Sequence, residues 1–158
     1  MLDYLKPKQR AKGKEVLWLL NKLLVAQEII MHKSRLAALV IDSKVDDIEE
    51  ANLFWEQALG LECIRSNEEW STRYSHLNAP DDQPHILIQK TAHESRVHLD
   101  IETDDIAAEV TRLKVIGAQV IEAFERWVVM EAPTGHRFCV VNPQRKDFSG
   151  SGNVNTWE

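Results

Sequence analysis

The chemically promising part of this chain is "RVHLDIETDD", residues 96–105. Successive side chains of a strand point to opposite faces. On that pattern His98, Asp100 and Glu102 share one face, and Val97, Leu99 and Ile101 share the other, which wants a core. A histidine titrates near neutral pH, so it can act as a general acid or base, or ligate a metal as neutral imidazole. It can also simply order the wet face of a strand, and the spacing alone leaves the three roles open. Further candidates surround it. Trp70, Thr72, Tyr74 and His76 alternate onto one face of a strand-like run, as do Trp127, Val129 and Glu131, and Arg137 shares a face with Cys139. Aromatic rings around a few polar groups are what a small-molecule pocket uses.

The elements that must position these residues come in a repeated order. "LAALVIDS" (36–43) is a short apolar strand, and 45–60 is a helix with an acid at its start and Gly60 as its stop. Strands follow at 61–67, 70–77 and 85–92, divided by "EE" and by the turn-rich "NAPDDQP". The same order then recurs: a strand at 97–103, a helix at 104–118 ending on Gly117, and strands at 119–126, 127–132 and 136–143. Asp104 and Asp105 read as caps, where the helix dipole favours acids, and Trp55 reads as core. The unit is βαβββ, twice, with a period of about 58 residues. The sequence therefore predicts an α+β fold of two βαβββ modules (36–92 and 96–143), whose paired curved sheets enclose a cleft. Before them lies a basic extension (1–35), with an amphipathic helix over 14–31 offering a dimer surface. A tail follows at 144–158.

Charge narrows the partners. The chain has 19 Lys or Arg against 25 Asp or Glu; eight of the bases and three of the acids lie in residues 1–35, leaving 11 bases and 22 acids for the rest. So acidic a body argues against nucleic acid and suits a neutral or cationic small molecule. Cys63 and Cys139 form neither a CxxC pair nor a disulfide framework, and read as free thiols in a reducing cytoplasm. "VLWLLNKLLVA" is interrupted by Asn21 and Lys22 and is followed by no small-residue cleavage site, so neither secretion nor a membrane span is expected. No P-loop, dinucleotide fingerprint, GxSxG or HExxH is present.

With "LFWEQALGLE" after the first strand, "HLDI" opening the second module and "APTGHRFCVV" closing it, the chain resembles the glyoxalase / bleomycin-resistance / extradiol-dioxygenase (vicinal oxygen chelate) superfamily over residues 36 to about 143. The resemblance implies a ligand cleft on the concave face, often completed by a second subunit, and in some members a divalent metal held there. The fifth-strand ligand falls on His98, with Gln89 as its neighbour. The first-strand ligand falls near Ala38, which cannot ligate, and the last-strand glutamate position is Cys139. The implied reading is a cytoplasmic homodimer that binds a small organic molecule without a catalytic metal, as the bleomycin-resistance proteins do. His98 is the proton-moving residue, and Gln89, Asp100, Tyr74, Trp70, Trp127, Arg137 and Cys139 stand around the ligand. The alternative is a lyase, isomerase or dioxygenase of the glyoxalase type, with zinc, nickel, iron or manganese on His98 and Gln89.

Overall fold

The structure is a computed structural model that describes residues 31–158. Met31 apart, the helix expected over 14–31 lies outside the described residues. The first module contains β1 (His32–Ser43), α1 (Ile48–Leu59), β2 (Cys63–Ile64), β3 (Tyr74–Leu77) and β4 (His85–Lys90). The second contains β5 (Arg96–Thr103), α2 (Ile106–Val115), β6 (Gln119–Ala123), β7 (Trp127–Glu131) and β8 (Arg137–Val141), and β9 (Asn155–Trp157) lies in the tail. The strands form one mixed sheet in the order β2-β3-β4-β1-β5-β8-β7-β6, with β9 laid on β1. Within each module the first and last strands pair in parallel, β1 with β4 and β5 with β8. The modules meet where β1 and β5 pair antiparallel, placing Val40 opposite His98 and Ala38 opposite Asp100.

Local signals set the helices. The Asp47 side chain accepts from Glu49 N at the start of α1, and Gly60 ends that helix in the left-handed region with φ 65°. Asp105 accepts from Ala108 N at the start of α2, while Asp104 binds Lys33 N at 2.6 Å. Gly117 turns the chain after α2 with φ 102°, and a Cβ there would stand 3.0 Å from Pro133 Cγ. Each helix then covers its own module. Ile48, Ala51 and the partly buried Trp55 of α1 pack on Cys63, Leu77 and Ile88. Leu113 of α2 packs with Val128, Met130, Phe138 and Val140.

Three expectations are corrected. The strand expected over 61–67 shrinks to Cys63–Ile64, because Ser66 and Asn67 begin a turn-rich stretch. Trp70 and Thr72 are not on β3 but in a 3-10 turn, Glu69–Thr72, so their alternation with Tyr74 fails. On β5 only Ile101 packs against a core cluster, whereas Val97 is 59% and Leu99 43% exposed. These two lie on the strand where the modules join, between the two helix-covered cores, and no described residue buries them. β1 also starts four residues before the expected strand, and the tail adds both β9 and the buried Phe148.

Candidate functional site

Alternation along β1, β4, β5 and β8 brings one set of side chains to the concave face. There a cleft of about 1140 Å³ is lined, among others, by Val40, Asp42, Gln89, His98, Asp100 and Cys139. Tyr74, Trp127 and Arg137 line it too. Glu102 shares the face of His98 but is fully buried elsewhere, accepting from Arg35 Nε at 2.6 Å and from the backbone N of Gln144 and Arg145 at 2.7 and 3.0 Å.

His98 sits at the floor, with its ring 9% exposed. Its Nδ1 donates to Asp42 Oδ2 at 2.9 Å, and its Nε2 lies 3.5 Å from Asp100 Oδ1. Burial opposes its charge, but the contacts with Asp100, Asp42 and Cys139 outweigh that and push the imidazole up to about 11. It is therefore an imidazolium at neutral pH. Burial also opposes the charge of Asp42, yet His98 and Arg96, whose Nε is 3.1 Å from the same oxygen, hold that carboxyl below its ordinary value. Asp42 is the hydrogen-bond partner of His98 that the sequence reading did not name; Gln89 lines the same cleft, and its Nε2 donates to Tyr74 Oη at 3.5 Å. The signal for Asp42 was available, since it has the same parity on β1 as Ala38 and Val40. Cys139, expected among the residues around the ligand, is only partly buried and lines the cleft.

Whether these residues fit a divalent ion turns on their donor chemistry. Ala38 and Val40 on β1 offer no donor. However, His98, Asp100 and Cys139 bring one N, one O and one S donor within 4.8 Å of one another. Asp100 Oδ1 is buried without a hydrogen-bond partner, and Asp42 could hold the other ring nitrogen in place. The set fits in kind. Its cost is the proton: with His98 at about 11, freeing a ring nitrogen at pH 7 takes roughly 5 kcal/mol.

The charge of the cleft differs from that of the body as a whole. Four of the body's eleven bases, Arg73, Arg96, Arg126 and Arg137, line it, against three of its 22 acids, Asp42, Asp100 and Glu122. Arg96 is neutralised by Asp42, and Arg137 by Glu131 at 2.9 Å. Arg73 and Arg126 have no carboxylate partner among the described residues.

Comparison with known proteins places this arrangement. Among solved structures the chain is similar to a hypothetical protein from Bacillus halodurans (12% identity, TM-score 0.52, covering 72% of this chain and 96% of that one). It is also similar to methylmalonyl-CoA epimerase from Mycobacterium tuberculosis (16% identity, TM-score 0.52, covering 70% and 89%). At such identities the likeness is one of fold. No curated protein sequence matches. A family model described as a glyoxalase-like domain matches residues 38–141, which span both modules and the whole floor of the cleft, and the chain belongs to the glyoxalase-like domain family.

Proposed function

We propose that the cleft binds a small organic anion without a catalytic metal. The observation that carries this reading is the concentration of arginines in the cleft of an otherwise acidic body, two of them, Arg73 and Arg126, without a carboxylate partner among the described residues. Each carries a planar set of donors suited to a carboxylate or phosphate. Beneath them the charge of His98 is matched by Asp42 and Asp100, so the two arginines carry the attraction. In this reading the protein is a cytoplasmic homodimer, and the open sheet edge β6, whose five residues are all exposed, is the available pairing surface. No helix among the described residues is long and apolar enough to cross a membrane.

The test is a thermal-shift and calorimetry panel of small carboxylates and phosphate monoesters against size-matched quaternary ammonium compounds. Saturating anions, at about a hundred times their Kd, stabilise the fold by ~2.7 kcal/mol. Arg73→Gln and Arg126→Gln each weaken them. Stabilisation by the cations alone would sink the reading.

The gathering of three donors favours one rival, a metal-dependent lyase or isomerase of the glyoxalase type in which His98, Asp100 and Cys139 hold the ion. A divalent ion there would polarise a ligand carbonyl. Metal content is measured by mass spectrometry after incubation with zinc, nickel, iron or manganese and desalting. Near one ion per subunit, lost in His98→Ala, replaces the metal-free reading with this one.

A further inference from the structure

At the mouth of the cleft a four-residue turn, Phe124 to Trp127, joins β6 to β7 and is closed by Phe124 N donating to Trp127 O at 2.9 Å. Its two aromatic rings stack on each other, with centroids 4.6 Å apart and planes 23° from parallel. Both rings line the cleft, yet Phe124 is 41% and Trp127 38% exposed. Large aromatic side chains contribute most when covered, and a stacked pair held open to water is an unfilled contact surface. Arg126 lies between them in the chain, also lines the cleft and lacks a carboxylate partner among the described residues. Its carbonyl accepts from Asn142 Nδ2 at 3.4 Å, which ties the turn to the segment after β8. Beside it Ile121, 44% exposed, extends the apolar surface.

We propose that Phe124, Trp127 and Arg126 form a shelf that selects a flat aromatic ring bearing the anionic group, so that the ligand class is aromatic acids and not aliphatic ones. This rests on the anion reading of the cleft and narrows it. A flat ring laid on the outer face of the stacked pair gains offset-stacking energy beyond the area it buries, whereas a puckered saturated ring of the same size gains only the area. An arginine at the edge of the stack meets the negative group and can itself lie against the ring.

The experiment compares 2-naphthoate with its saturated analogue, decahydro-2-naphthoate, which has the same charge and carbon skeleton. Binding is measured by calorimetry on the full chain and on Trp127→Leu, Trp127→Phe and Arg126→Gln. The expected result is a threefold to tenfold preference of the wild type for 2-naphthoate. Trp127→Leu abolishes the preference, Trp127→Phe retains it, and Arg126→Gln weakens both acids alike. Equal binding of the two acids by the wild type removes the shelf and leaves the anion reading intact. Failure of both acids, with binding of the cationic 2-naphthylmethylammonium instead, removes the anion reading and the shelf with it. Sedimentation at the assay concentration supplies the remaining arm. A dimer in the wild type that falls apart in Trp127→Leu assigns the rings to an interface between copies and overturns the shelf.

Discussion

Replacing Asp42 by Asn tests the clamp on His98 directly. Asp42 Oδ2 accepts a hydrogen bond from Nδ1 at 2.9 Å, while the second carboxylate, Asp100, stands 3.5 Å from Nε2. Removing one opposite charge at such range lowers a pKa by roughly 1 to 3, or ~1.4–4 kcal/mol of interaction with the charged form. His98, pushed up to about 11 in the wild type, then titrates between about 8 and 10. The sign follows from linkage. A group raised above its ordinary 6.5 contributes stability that is complete below pH 6.5 and lost as pH rises through about 11. Both proteins share the same unfolded state for this group. The gap between them is therefore full at pH 7, and its pH-dependent part closes between the variant's pKa and about 11. Long-range proton–nitrogen NMR of the imidazole rings reads the titration, with the six histidines sorted by the spectrum of His98→Gln, and urea denaturation at pH 7, 9 and 10.5 reads the stability. A wild-type His98 midpoint near 6.5, or an Asp42→Asn protein matching the wild type in midpoint and stability, refutes the clamp.

Three further outcomes are expected. Gly117→Ala meets both a φ of 102° and Pro133 Cγ at 3.0 Å, and costs roughly 1–3 kcal/mol by denaturant titration; a neutral result would mean that the turn after α2 is looser than described. Glu102→Ala leaves the buried Arg35 guanidinium with only Asp147 and frees the Gln144 and Arg145 amides. It costs about 3–5 kcal/mol and speeds hydrogen exchange at those two amides, whereas unchanged exchange would detach them from Glu102. Iodoacetamide modifies Cys139 in the cleft before Cys63, which is 4% exposed and whose thiol burial pushes up; the reverse order by peptide mapping would contradict their placement.

The repeat was legible because its punctuation is local. Asp47 with Gly60 and Asp105 with Gly117 mark both helices within a few residues of where they lie, and strand parity put His98, Asp100, Arg137 and Cys139 on one face. The parity of Asp42 was legible, but its pairing with His98 was not. Its ion pair spans 56 residues, and in the apolar "LAALVIDS" a lone acid reads as the polar end of a strand. The electrostatics of the cleft were hidden by the average. A net charge is a sum over the whole surface, while a ligand meets the local field, and only the fold gathers Arg73, Arg96, Arg126 and Arg137 at one opening. The 3-10 turn at Trp70 shows the opposite failure, an alternating pattern that tertiary context overrode.

The pairing of β1 with β5 has a mechanical consequence. The apolar clusters under α1 and α2 share no member, and the ladder between Ser34–Asp42 and Arg96–Thr103 transmits load from one to the other. Val40 and His98 face each other across that ladder at the cleft floor. A molecule seated on them touches both halves at once and acts as a rivet. Its arrival should then be felt as added resistance to opening along that ladder.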